Sequence, residues 1–147
     1  MMTNPPPHRD ATLPAILDYL ATSHRYGIRN KCLYRLRLVL PYKDITDLRV
    51  GNILRRDGYI VSDIEGDGWA LPVDDALADD LLAYIRERYQ CYDLLNLVFI
   101  RGSDYLFSTQ TSASFSPGWL AQLYTHLDRS IRYHFSSLEL SKKKRQY

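Results

Sequence analysis

The stretch from Leu40 to Tyr89, LPYKDITDLRVGNILRRDGYIVSDIEGDGWALPVDDALADDLLAYIRERY, restricts the possible folds more than any other part of the chain. Asp57-Gly58 is a hairpin signal, because glycine supplies the positive φ that the favoured two-residue turns require. Tyr59 to Ser62 and Trp69 to Pro72 are therefore expected as strands on either side of Glu65-Gly66-Asp67-Gly68. Asp74 suits an N-cap, and Asp74 with Asp75 places negative charge at the positive end of a helix dipole. Leu77, Leu81, Ile85 and Tyr89 then recur at i, i+4 along one face, and Arg86 and Arg88 fall in the last turn, where cations are favoured. A short helix, a few short strands and a long amphipathic helix follow from these signals.

The flanking regions read as mostly helical. Met1 to Arg9, with Pro5-Pro6-Pro7 and no apolar period, is expected as a mobile arm. Asp10 or Thr12 caps a first helix to about Thr22, with Leu13, Ile16, Leu17 and Leu20 on one face. A second helix runs from Arg29 to Leu40 and is ended by Pro41. Its periodicity turns Leu33, Leu36, Val39 and Leu40 inward and Lys31, Tyr34 and Arg35 together outward. Leu94 to Ile100 is an apolar run that fits either a buried strand or the end of a helical segment. Tyr105 to Phe107 is expected as a short strand and Ser108 to Ser116 as a loop. Ser116 as N-cap with Pro117 at the first helical position starts a helix to about Phe135, whose Trp119, Tyr124, Tyr133 and Phe135 read as core or contact residues. The expected class is α+β, mostly helical with a small antiparallel hairpin between helices. The expected organisation is one domain over residues 10–140, with the arm at 1–9 and a basic tail at 141–147.

Composition excludes several functions. At 147 residues the chain is one domain's worth. No apolar run approaches the roughly 18 residues that a membrane span requires, and the N-terminus lacks a signal-peptide apolar region, so a cytoplasmic protein is expected. Cys32 and Cys91 have no C-x-x-C spacing and lie in apolar periodic segments, as buried reduced thiols do. His8, His24, His126 and His134 are scattered, and the last two sit more than two helical turns apart, so no metal site is expected. Asp74, Asp75, Asp79 and Asp80 read as a solvated helix start. No glycine-rich phosphate loop, nucleophile elbow or paired-carboxylate site is present, and no cofactor is implied. Charge is unevenly spread: residues 1–62 carry net +5, residues 63–104 net −7 and residues 105–147 net +4.

In order and spacing, the Leu40–Tyr89 block resembles the first half of a tyrosine recombinase (phage integrase) catalytic domain. That family has a helix pair ending in T-G-L-R-x-S-E-L, then a hairpin, then a strand ending in a Pro-Leu-like pair, then a long helix. Asp44-Ile45-Thr46-Asp47-Leu48 sits where R-x-S-E-L falls, and Leu71-Pro72-Val73-Asp74-Asp75-Ala76-Leu77 sits where the strand runs into the helix. The pattern covers roughly Ala15 to Ser136. On this resemblance, the family's first catalytic Arg falls on Asp44, with Lys43 beside it, and the hairpin Lys falls at or near Asp67. Carboxylates there repel a phosphodiester instead of stabilising the charge of phosphoryl transfer. His126-Leu127-Asp128-Arg129 and Tyr147 stand too near the preceding elements to match the family's His-x-x-Arg and nucleophile, and read as a solvated helix face and a frayed end. The resemblance thus implies a truncated, noncatalytic scaffold from a mobile element, with no catalytic residues, that binds DNA or another protein to regulate.

Three functional readings stay open. For a DNA-binding regulator or accessory protein, the contacting residues are Lys31, Tyr34, Arg35, Lys43, Arg55, Arg56 and the tail cations Lys142, Lys143, Lys144 and Arg145, with double-stranded DNA as partner. In a winged helix-turn-helix over Leu13 to Val73, Asp44 to Arg49 belongs to the recognition helix and Arg55-Arg56 to the wing. In an interaction module without DNA binding, the acidic middle docks a basic protein or the aromatic-rich C-terminal helix forms a homodimer.

Overall fold

A computed structural model of the chain describes residues 11–91, 93–108 and 113–145, with side chains described up to residue 137. The elements are α1 (Leu13–Thr22), α2 (Gly27–Arg37), α3 (Tyr42–Asp47), α4 (Val50–Ile53), β1 (Asp63–Gly66), β2 (Trp69–Pro72), α5 (Asp75–Tyr89), α6 (Leu97–Arg101) and α7 (Pro117–Arg145). The fold is α+β and mostly helical, and β1 and β2 form a two-stranded antiparallel sheet. No helix among the described residues is long and apolar enough to cross a membrane.

Local signals set the helix starts. The Thr12 hydroxyl accepts from the Ala15 amide at 3.3 Å, the Asp74 carboxylate from the Leu77 amide at 2.8 Å, and the Ser116 hydroxyl from the Trp119 amide at 3.0 Å. Each satisfies an amide that the first helical turn leaves without a partner. α5 stops at Gln90, which turns into the left-handed region at φ 48°. α7 continues past the expected end near Phe135 to Arg145.

Packing then centres on α2, which lies against α1, α3 and α5. Cys32, Leu33 and Leu36 are wholly buried there, with Ile16, Leu17 and Leu20 of α1 and Leu81 and Ile85 of α5. From α7, Leu120, Tyr124, Leu127 and Ile131 complete the core. The Tyr124 hydroxyl donates to the Leu33 carbonyl at 2.6 Å, and burial holds this phenol well above its ordinary pKa.

The strand expected at Trp69 to Pro72 is there as β2, but its partner lies later than Tyr59 to Ser62. Asp57-Gly58 does form a turn, with Gly58 at φ 84°, but it closes only a single bridge between Leu54 and Ile60. The paired strands are β1 and β2, with Ile64 opposite Leu71, joined at Asp67-Gly68, where Gly68 has φ 76°. Tyr59 to Ser62 is thus no strand; the buried apolar pair that anchors the hairpin lies at Ile64 and Leu71. Tyr105 to Phe107 is not a strand either, beyond one bridge from Tyr105 to Arg49. Leu106 and Phe107 are both buried, and successive residues of a strand point to opposite faces. In the apolar run after α5, Leu94 is buried, while α6 buries none of its residues and leaves Phe99 and Ile100 exposed.

Both cysteines are free, and only Cys32 is fully buried; Cys91 is half-buried. The Cys32 thiol donates to the Asp80 carbonyl at 3.0 Å, and burial raises its pKa far above that of an exposed thiol. A maleimide added to the native protein is therefore expected to modify Cys91 and spare Cys32 until denaturant is present. Peptide mass spectrometry checks this, and native labelling of Cys32 at the rate of Cys91 would contradict the packing.

Candidate nucleic-acid interface

The first expected contact face, on α2, is not a free surface. Lys31 and Arg35 are one turn apart and both reach Asp80 of α5: Lys31 Nζ lies 3.1 Å from one carboxylate oxygen, and Arg35 Nε donates to the other. Asp80 is buried, not solvated as its place in an acidic helix start suggests. Both cations are spent on holding α2 to α5. Tyr34 does not point outward with them; it is 0% exposed. A helix packed on several sides has no single inward stripe, so the periodicity that assigned Tyr34 to solvent fails here. Its ring lies 4.6 Å from the Arg37 guanidinium carbon, and Arg37 is itself buried and clamped by two 2.9 Å hydrogen bonds to Asp128 of α7.

The other expected cations are divided. Lys43 is exposed on α3, next to a small recess of about 210 Å³ lined by Asp44, Asp47, Glu65 and Asp67. Phosphate is repelled from that side. The hairpin that a wing requires carries Asp63, Glu65 and Asp67 and no Lys or Arg, and Arg55 and Arg56 precede it instead of belonging to it. Lys142 to Arg145 of the expected basic tail form the helical end of α7, and their side chains lie outside the described residues. His126 and Arg129 are exposed on α7, while Tyr147 lies outside the described residues.

Arg55 and Arg56 nevertheless belong to a larger cationic face built by α4 and α6. The Val50 and Gly51 amides donate to the Asp104 and Gly102 carbonyls at 2.9 Å each, and the Asn96 amide donates to the Arg56 carbonyl at 2.9 Å. These bonds set Arg49, Arg55 and Arg56 beside α6, whose last residue is Arg101. Arg56 stacks on Phe99, 3.8 Å from guanidinium carbon to ring centroid. Arg49 sits 4.1 Å from the Tyr105 ring centroid, donates to its hydroxyl at 3.0 Å and also donates to the Ser103 carbonyl. Arg55 pairs with Asp57 at 2.7 Å, both well exposed. Among the described residues no carboxylate pairs with Arg49, Arg56 or Arg101. Phe99, which carries Arg56, is 59% exposed, and Ile100 of the same helix and Tyr59 are exposed as well. Arginines held over aromatic rings beside exposed apolar side chains form a surface suited to phosphates and bases.

Arg101 carries no signal in the sequence, and Arg49 enters only as the end of the expected recognition helix, because nothing local links the two segments. Those segments meet through backbone contacts between residues 49–56 and 96–105. Among the described residues no group of three or more His, Cys, Asp or Glu is placed to hold a metal ion. Comparison with protein-family models, with curated proteins and with solved structures finds no match to this chain.

Proposed function

We propose that the chain is a noncatalytic DNA-binding protein with a regulatory or accessory role, built on a tyrosine recombinase-like scaffold from a mobile element. The observation that carries the reading is the pairing of the 49–56 segment with α6 and the residues after it, which puts Arg49, Arg55, Arg56 and Arg101 on two adjoining segments, three of them without a carboxylate partner among the described residues. The scaffold part is supported by Asp44 and Asp67, which stand where the family uses two cations and share one recess. Their charges disfavour phosphate there, so duplex DNA binds on the α4–α6 side and is not cut.

Titration of a labelled duplex across about 50 to 200 mM salt tests this. Four phosphate contacts predict a log–log slope of about −3 or steeper. The variant Arg49→Gln, Arg56→Gln, Arg101→Gln is expected to flatten that slope by about 3 units, one per lost phosphate contact. Lys31→Gln is expected to leave it unchanged, because Lys31 is already paired with Asp80. An unchanged slope in the triple variant, with an unaltered thermal melt, refutes the assignment. The exposed Leu95, Phe99 and Ile100 favour a second reading, in which this face docks a protein or a second copy of the chain. Absence of duplex binding at low salt, with a dimer seen by light scattering, selects that reading.

A further inference from the structure

Away from the α4–α6 face, an open cleft of about 650 Å³ lies between the start of α2, the C-terminal half of α5 and the start of α7. Arg29 and Arg88 line it together with Tyr26, Tyr84, Phe115 and Trp119. Neither arginine has a carboxylate partner among the described residues. Arg88 is consumed structurally: it donates to the carbonyls of Tyr105 and Leu106 and, at 3.0 Å, to the Ser108 hydroxyl. Those bonds fix its position without neutralising its charge. Arg29 uses Nε and one Nη on the Asn30 side-chain oxygen, at 3.2 and 3.0 Å, and its other Nη has no hydrogen-bond partner among the described residues. Burial depresses its pKa, and among the described residues no ion pair offsets the cost of dehydrating this cation.

The walls favour a flat ligand. The Arg29 guanidinium lies 4.5 Å from the Tyr26 ring centroid and 5.8 Å from that of Phe115. The Phe115 and Trp119 rings are 4.1 Å apart at 31°, and Trp119 remains 42% exposed. Glu87 also lines the cleft and offers an acceptor for an N–H donor. A ligand that satisfies all of these groups carries one anionic group for Arg29, a planar ring for Trp119, and a ring amino or imino group for Glu87. The volume falls within the range of ordinary small-molecule sites.

We infer that this cleft binds a nucleoside monophosphate, with the phosphate on Arg29 and the base against Trp119. The site is separate from the α4–α6 face and does not depend on DNA binding. The chain has two tryptophans, Trp69 and Trp119, so a Trp69→Phe variant reports the cleft alone. Calorimetric titration of the full chain with AMP, GMP, CMP and UMP, followed in parallel by Trp119 emission, is expected to saturate for at least one of them. Ribose 5-phosphate and inorganic phosphate are expected to bind more weakly, since they lack the stacking ring. Arg29→Gln is expected to weaken the best mononucleotide roughly 10- to 100-fold, the loss of a charge-assisted hydrogen bond. Trp119→Ala, at an exposed position that leaves the fold intact, is expected to weaken it about 10-fold. The Arg49, Arg56, Arg101 variant is expected to bind mononucleotide normally. The inference is overturned if none of the four saturates, if phosphate alone binds as tightly as the mononucleotides, or if both cleft variants keep wild-type affinity.

Discussion

Asp128→Ala is expected to destabilise the fold by about 3 kcal/mol, the cost of leaving a buried charge without its partner. Arg37 is the reason. Its side chain is 4% exposed, whereas that of Asp128 is 24% exposed. Burial works against the Arg37 charge, and the hydrogen-bonded Asp128 carboxylate, helped by Tyr34 and Tyr42, more than restores it, so its pKa lies above the ordinary value. Without Asp128 the guanidinium still has the Tyr34 and Tyr124 rings, 4.6 and 4.9 Å away. These contacts hold the expected loss at the lower end of the range for broken buried pairs. Arg37→Met is expected to cost less, about 1 kcal/mol, because the abandoned Asp128 turns to water. The pair Arg37→Met, Asp128→Leu is expected to recover most of the stability, as apolar replacements of buried ion pairs often do. Urea unfolding of the three variants checks the order; an Asp128→Ala protein more stable than Arg37→Met would show that the clamp is not what fixes α7 to α2.

Gly27→Ala provides the second large effect, and its sign decides between local and tertiary control. Gly27 opens α2, and helix propensity alone makes alanine better there by up to about 1 kcal/mol. A Cβ at this position would lie 2.2 Å from the Ala21 carbonyl oxygen and 2.7 Å from that of Leu20, both on the α1 backbone. Neither atom can swing aside as a side-chain tip does. The two helices must therefore separate, and overpacking of this kind costs about 2 to 3 kcal/mol net. For a chain of this size that corresponds to a fall in Tm of about 10 °C. A thermal melt at or above that of the wild type would mean that α1 and α2 are not in direct backbone contact.

The boundary between legible and illegible follows the range of the interactions. The caps at Thr12, Asp74 and Ser116 were readable because each is closed by an amide three residues on. The turns at Gly58 and Gly68 and the strand Trp69–Pro72 were readable, but the bounds of its partner strand were not, since they depend on Ile64 reaching the core opposite Leu71. The cations of α2 show the limit most clearly. Lys31 and Arg35 could be placed on one face from spacing alone, yet their partner Asp80 lies on a different helix, and the reading of that face as a phosphate contact dissolved with it.

Local pattern along the chain was enough for the starts of α1, α5 and α7 and for the mixed α+β class, because capping, turn geometry and apolar period act over a few residues. Only the tertiary structure decided which charges are free. α2 packs against α1, α3 and α5, so Tyr34 is buried and Lys31 and Arg35 are neutralised there. The segments around Arg49 and Tyr105 meet across 56 residues, so the cationic face appears at α4 and α6 instead. Whether a surface arginine meets a carboxylate depends on which elements fold against each other, and no local pattern along the chain carries that information.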